Sequence, residues 1–127
     1  MEKKFTLKQA NALLPEIIRI TQDAIERLEE TRARMEMDVI HYGKEVEKEF
    51  HSQVSAILEE WAAQISRMGV LPKGYFTCDF VSPNPEIYFC WTYGEKEIKY
   101  MHKVTETFRD RVPIEHPELE GFEISLN

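Results

Sequence analysis

The chain has 127 residues, of which 43% are hydrophobic and 31% are charged, and its formal net charge is -7. This length is typical of one domain, and the apolar content is too high for a disordered chain. An acidic surface repels a phosphate backbone, and no apolar run approaches the about 20 residues of a membrane-spanning helix. We therefore expect no nucleic-acid partner and no membrane partner.

The N-terminus and the cysteines bear on the cellular location. The first residues, M-E-K-K-F-T-L, lack the apolar stretch of a signal peptide, and neither end carries a lipidation motif. Cys78 and Cys90 form neither a disulfide framework nor a Cys-x-x-Cys pair. We therefore expect a cytoplasmic protein.

The first predicted element is a long helix. Thr6 and Gln9 have the spacing of a capping box, in which each side chain binds the backbone amide of the other residue. From there, apolar side chains recur in steps of three and four to about His41. Pro15 lacks the donor amide, so we expect a kink or a short break near residues 11–15.

A second predicted helix follows a glycine. Gly43 suits the left-handed position after a helix end, and the second helical period ends before Gly69 and Pro72. Two long helices joined by a short loop predict an antiparallel hairpin over residues 6–68. The alternative is one continuous helix through Gly43, because a single glycine costs a helix only about 1 kcal/mol.

After Gly74 the composition changes to the aromatic and β-branched residues of strands. Turn residues at 82–85 and at 93–96 divide residues 75–104 into the three strands of an antiparallel meander. With those loops, one sheet face is almost wholly apolar and should pack on the hairpin. The predicted members of that face are Phe76, Cys78, Phe80, Ile87, Phe89, Trp91, Ile98, Tyr100, His102 and Val104.

Two features of this half stay open. Residues 95–104 could instead form a helix, since Gly94-Glu95 can also begin one, and residues 105–127 read as an irregular tail. The sequence therefore predicts a single α+β domain. Its first part is a long antiparallel helical hairpin, with the first helix kinked near Pro15, and its second is a small three-stranded antiparallel β-meander packed on the hairpin.

His102 is the residue best suited to chemistry, because imidazole titrates near neutral pH and binds metals. More often such a histidine is half buried and bonds a carbonyl or a carboxylate. Glu95 lies in a turn, and Asp79 lies in a strand, where aspartate is unfavourable. Cys90 is expected to be a packed, inert thiol. The predicted register puts Asp79 and His102 on opposite sheet faces, so we expect no metal site and no cofactor.

Short segments from both ends of the chain carry a family resemblance. They are F-T-L-K-Q-A-N-A-L-L-P-E at 5–16, D-F at 79–80, I-Y-F-C-W at 87–91, G-E at 94–95, His102, Phe108 and R-V-P-I at 111–114. In these segments the chain resembles the bacterial domain-of-unknown-function 2203 family. The resemblance implies a prokaryotic cytosolic protein without an assigned activity. It also implies that any shared site would include Trp91, Glu95, His102 and Arg111.

The sequence contains no complete catalytic, phosphate-binding or dinucleotide-binding motif, so it favours a non-enzymatic interaction or scaffold protein. The apolar stripes of the hairpin are wider than one small sheet can cover, so we expect self-association as a homodimer through the helices. The alternative is a small enzyme, or a protein that binds a metal or a small anion. Its candidate catalytic residues are His102, Glu95 and Arg111, with a ligand pocket of Trp91, Tyr100 and Asp79.

Overall fold

The computed structural model describes residues 3–116, apart from the side chains of residues 38–42. Two α-helices come first and an antiparallel sheet follows, so the chain has the predicted α+β architecture. The part of the predicted tail beyond residue 116 lies outside the described residues. Neither helix is long and apolar enough to cross a membrane.

The first helix, α1, spans Leu7–Tyr42 and begins at the predicted capping box. The Thr6 amide donates to Oε1 of Gln9 at 2.9 Å, and the Gln9 amide donates to Oγ1 of Thr6 at 3.1 Å. Pro15 lies on the exposed side of this helix, where the carbonyl that it leaves unpaired can bind water. The helix continues through Pro15, so the predicted short break is wrong, while the kink stays a prediction.

The second helix, α2, spans Lys44–Arg67 and returns along α1. Gly43 alone separates the two helices, and its φ of 70° lies in the left-handed region that favours glycine. Nε1 of Trp61 donates to Oγ1 of the buried Thr21 at 2.9 Å. A contact between residues so far apart in sequence requires an antiparallel hairpin, so a continuous helix through Gly43 is excluded.

In the described part of the chain, five strands, and not the predicted three, form one antiparallel sheet in sequential order. The strands are β1 (Leu71–Lys73), β2 (Thr77–Val81), β3 (Ile87–Thr92), β4 (Tyr100–Lys103) and β5 (Val112–Pro113). The two additional strands lie at the edges, and each contains a proline, which a sheet tolerates there. A short 3-10 helix, Phe108–Asp110, precedes β5. Because β4 is a strand, the alternative helix over residues 95–104 is also excluded.

The first hairpin of the sheet has the predicted faces. Cys78 pairs with Trp91 and Phe80 with Phe89, and all four side chains are fully buried. The ring of Phe5, just before α1, packs edge-on against Phe80 with 5.6 Å between ring centres. The prediction that this face packs on the helical half is therefore confirmed.

The second hairpin differs from the predicted register by one residue. Tyr88 pairs with His102, because the loop between β3 and β4 covers residues 93–99 and not 93–96. Side chains alternate between faces along a strand, so a shift of one residue moves every side chain of that strand to the opposite face. Tyr100 and His102 were predicted to face the helices, and that prediction is wrong. They lie on the outer face of the sheet, which is the face turned away from the helices.

Candidate functional site

Three buried side chains with metal-binding atoms meet on the outer face of the sheet. Asp79 comes from β2, Cys90 from β3 and His102 from β4, which are the three central strands. Each is at most 4% exposed. A carboxylate oxygen, a sulfur and a ring nitrogen from these residues all lie within 4.8 Å of one another. We call Asp79, Cys90 and His102 the outer-face cluster.

The ring of His102 is fixed by a contact at each nitrogen. Nδ1 lies 2.7 Å from the carbonyl oxygen of Lys103, and Nε2 lies 3.0 Å from Oδ1 of Asp79. A carbonyl oxygen can only accept, so Nδ1 carries a hydrogen and donates it. The contact between Nε2 and Oδ1 then needs one further proton, held by the imidazolium or by the carboxyl group. Asp79 and His102 therefore share a proton at a place where a metal cation could replace it.

The thiol of Cys90 lies between a carboxylate and a guanidinium. Burial raises its pKa most, the charge and a hydrogen bond of Asp79 raise it further, and the pKa reaches about 12. The charge and hydrogen bonding of Arg111 act in the opposite direction and offset only part of this rise. Without a metal ion, Cys90 is therefore a protonated thiol near neutral pH. Because the thiolate is the nucleophile, this arrangement does not activate Cys90 for covalent catalysis.

Arg111 closes one side of the outer-face cluster. Its guanidinium carbon lies 4.4 Å from the ring centre of Tyr100 and 4.1 Å from that of Phe108, so two aromatic rings hold it. Nη1 donates to both carboxylate oxygens of Glu95, each at 3.0 Å. Burial lowers the pKa of Arg111, but the hydrogen bond and charge of Glu95 outweigh burial, so this pKa lies above its ordinary value. Arg111 is therefore charged although its pair with Glu95 is largely covered.

The turn after β3 holds Glu95 in place. The amide of Thr92 donates to Oε1 of Glu95 at 2.9 Å, and Nε1 of Trp91 donates to the Glu95 carbonyl at 2.8 Å. Trp91 is fully buried on the face that packs on the helices. It therefore supports this turn from the other side of the sheet and does not line the outer-face cluster.

Most of the site residues predicted from the sequence lie in one connected network. Its predicted members are Asp79, Glu95, Tyr100, His102 and Arg111, whereas Trp91 lies on the opposite face. Sequence reasoning missed Cys90, which links the two halves of this network. The predicted faces of the first hairpin already put Cys90 on the same side as Asp79, and in the structure the two residues are directly opposite each other. The register argument against a metal site is therefore wrong.

The donor atoms of the outer-face cluster suit a transition metal ion such as zinc. Zinc binds cysteine sulfur, histidine nitrogen and carboxylate oxygen at about 2.0–2.3 Å in a tetrahedron, which places its ligand atoms roughly 3.4–3.6 Å apart. The distances within the cluster are close to this spacing. Nε2 and Oδ1 are 3.0 Å apart, and no pair of ligand atoms is more than 4.8 Å apart. The bond from Nδ1 of His102 to a carbonyl is also typical of metal-bound histidines, because it aims Nε2 at the ion.

The chain belongs to the family described as "Uncharacterized conserved protein (DUF2203)", whose profile matches residues 3–114. The match covers the hairpin, the sheet and all of the outer-face cluster. No curated protein and no solved structure matches the chain significantly. The family resemblance predicted from the sequence is therefore confirmed, and the family description assigns no activity to the site.

Proposed function

We propose that this protein binds a divalent transition metal ion, above all zinc, through Asp79, Cys90 and His102. The observation that carries the proposal is the convergence of an oxygen, a sulfur and a nitrogen within 4.8 Å at the buried centre of the sheet. Ligands on three neighbouring strands let one ion tie those strands together. The proposal refines the metal-binding alternative from the sequence, with Asp79 and Cys90 as ligands in place of Glu95 and Arg111.

The balance of charge supports a cation at this place. Asp79 and His102 share one proton, and the Cys90 thiol holds another. Both protons leave if a dication binds Nε2, a carboxylate oxygen and Sγ together, since metal ligands must be deprotonated. Two protons exchanged for a doubly charged ion leave the net charge of the buried cluster unchanged. This matters because an unbalanced buried charge costs several kcal/mol.

Glu95 and Arg111 act as supports in this proposal. The charge and hydrogen bonding of Arg111 counteract the rise in the pKa of Cys90, so the guanidinium favours the thiolate that binds an ion. Glu95 in turn holds Arg111 through two contacts of 3.0 Å. The proposal assigns binding and no reaction, because burial of all three ligands gives a substrate no direct access to them.

Cobalt(II) tests the proposal, because it occupies zinc sites and a bound thiolate gives it a charge-transfer absorption. We expect one cobalt ion per wild-type chain with this absorption, displaced by zinc, and loss of the absorption in Cys90→Ser. The control is Cys78→Ala, which removes the other buried cysteine, on the opposite sheet face. It should keep both the ion and the absorption.

Two outcomes would overturn the proposed metal site. The first is folded wild-type protein that retains neither cobalt nor zinc after dialysis. The second is an absorption that persists in Cys90→Ser and disappears in Cys78→Ala, since the thiolate would then belong to the helix-facing side.

A second candidate function is a scaffold that self-associates through the hairpin. α1 continues to Tyr42, well beyond Ala24, which is its last buried apolar residue in the described part of the chain. Met37 is 72% exposed, and Phe50 on α2 is half buried. The exposed Met37 and the half-buried Phe50 support a dimer in which the ends of two hairpins cover each other.

Sedimentation at tens of micromolar checks the predicted dimer. We expect a dimer for the wild type and a shift toward monomer for Met37→Glu, which places a charge on the far end of the hairpin. Lys73→Glu introduces the same residue on β1 and should leave the dimer intact. A strict monomer of the wild type would contradict this candidate.

The cytoplasmic location and the bacterial source also stay predictions from the sequence.

A further inference from the structure

A cavity of about 470 Å³ lies between the first turns of α1 and the β4–β5 side of the sheet. Its apolar wall consists of Leu7, Ile98, Pro113 and Ile114. Its volume lies in the usual range for sites that hold small molecules, which is roughly 300–1,000 Å³. None of its lining residues belongs to the outer-face cluster, so the cavity is a separate feature of the fold.

Two donor groups lie at this cavity, the side-chain amide of Asn11 and the ammonium group of Lys8. Oδ1 of Asn11 accepts the amide hydrogen of Ile98 at 2.8 Å, and its NH2 group has no acceptor among the described residues. Among the described residues, Nζ of Lys8 has no ion-pair partner, although the chain has 23 acidic and 16 basic side chains.

Glu97 and Lys99 at the same rim form an exposed ion pair, so their charges balance each other. The Glu97 carboxylate lies 3.5 Å from Nζ of Lys99, and the Lys99 carbonyl accepts the amide hydrogen of Ile114 at 2.9 Å. Among the described residues, an incoming molecule therefore meets an apolar wall, two donor groups and a net positive charge from Lys8, since Glu97 and Lys99 balance each other. That combination favours a ligand with an apolar body and a negatively charged acceptor group.

We propose that this cavity binds a small carboxylate with an apolar chain, of the size of a medium-chain fatty acid. Its carboxylate would accept from Nζ of Lys8 and from Nδ2 of Asn11, and its chain would lie against Leu7, Ile98 and Ile114. This ligand site does not depend on the proposed metal ion.

Octanoate is the probe, and 1-octanol, which has the same chain length and no charge, is the matched ligand. Each is titrated into the full chain, and the amide resonances of Ile98 and Ile114 are followed by NMR, with zinc and with a chelator. We expect saturable shifts with octanoate, weaker binding of 1-octanol, and the same result in both metal conditions. Failure of the zinc site would therefore leave this outcome unchanged.

Two variants locate the carboxylate. Lys8→Gln should weaken octanoate about three- to fivefold, the range of a partly exposed ion pair, and leave 1-octanol unaffected. Asn11→Asp keeps the acceptor for Ile98 and adds a negative charge, so it should weaken octanoate more strongly than Lys8→Gln. Lys73→Gln removes an exposed lysine on β1 and should change neither ligand.

Three results would overturn the proposal. One is the absence of any shift at Ile98 and Ile114 below the concentration at which octanoate forms micelles. Another is equal affinity for octanoate and 1-octanol, since the donors would then play no part. The third is an equal loss in Lys8→Gln and Lys73→Gln, which would show attraction by total charge and not by this cavity.

Discussion

Zinc is expected to raise the free energy of unfolding by about 4 kcal/mol when its free concentration exceeds the Kd a thousandfold. The unfolded chain does not hold Asp79, Cys90 and His102 together, so the ion binds almost only to the folded state. Urea unfolding of the full chain, with zinc and with a chelator, measures the difference. Cys90→Ser should lose most of it, because a serine hydroxyl is a much weaker ligand than a thiolate.

This stabilisation by zinc is expected to increase with pH. Burial and the neighbouring Asp79 raise the pKa of Cys90 to about 12, so the thiol must release its proton when it binds an ion near neutral pH. One released proton makes the affinity rise about tenfold per pH unit, and release of the proton shared by Asp79 and His102 makes that about a hundredfold. Competition titrations with a zinc chelator from weakly acidic to weakly alkaline buffer measure the slope.

Without zinc, the same thiol makes the stability of the folded chain fall, and not rise, as the pH increases. The pKa of Cys90 in the folded chain, about 12, lies above its ordinary value of 9.0, so folding favours the protonated form. Its contribution to stability is present in full below about pH 9 and is lost as the pH rises toward 12. The chelated protein should therefore lose stability only above about pH 9, whereas zinc binding already strengthens with pH below that value.

Cys78→Ala separates the loss of a ligand from damage to the core. Cys78 is fully buried on the face that packs on the helices, so its truncation should lower stability equally with and without zinc. The same stabilisation by zinc in the wild type and in Cys90→Ser would contradict the outer-face site. So would an affinity that does not change with pH.

The helical half was predictable because its signals are local. The reciprocal hydrogen bonds of Thr6 and Gln9 follow from their spacing, and the positive φ of Gly43 follows from its place between two apolar periods. In this half the expected short break at Pro15 is wrong, while the expected kink stays a prediction. An exposed proline costs a helix one hydrogen bond, and packing of the residues on both sides of it can offset that loss.

The central strands were predictable, but the two edge strands were not. β1 and β5 contain only three and two residues, so neither is long enough to show an alternating pattern. Each also contains a proline, which argues against a strand wherever the edge position is unknown. β1 pairs with β2 and β5 pairs with β4, and a local sequence pattern does not predict such pairing.

The outer-face cluster was not predicted from the sequence, because one loop is longer than its turn residues indicate. The turn residues at 93–96 predicted a short connection, whereas the chain stays outside the sheet to residue 99. Within this loop, Ile98 is buried in the core and its amide donates to Asn11 on α1, a long-range contact that no local pattern predicts. With this loop, β4 is shifted by one residue against β3 from the predicted register, which puts His102 on the face that holds Asp79.

Asp79→Ala is expected to lower the free energy of unfolding of the chelated protein by about 3 kcal/mol or more, because it leaves the buried Nε2 of His102 without a partner. Asp79→Asn is expected to cost only about 1 kcal/mol. Nδ1 of His102 still donates to the Lys103 carbonyl, so the neutral ring presents a lone pair at Nε2, and the asparagine NH2 group can donate to it. Urea unfolding in the presence of a chelator measures both values.

These two variants also separate the structural role of Asp79 from its role as a ligand. Asparagine keeps the hydrogen bond but carries no negative charge, so Asp79→Asn should fold almost like the wild type and still lose tight zinc binding. Glu97→Gln, at an exposed position, is the control for loss of one acidic charge and should change neither property. A zinc affinity that Asp79→Asn leaves unchanged would contradict the carboxylate as a ligand. If Asp79→Asn costs as much stability as Asp79→Ala, the folded protein requires a charged His102 beside a carboxylate, and the shared proton then belongs to the imidazolium.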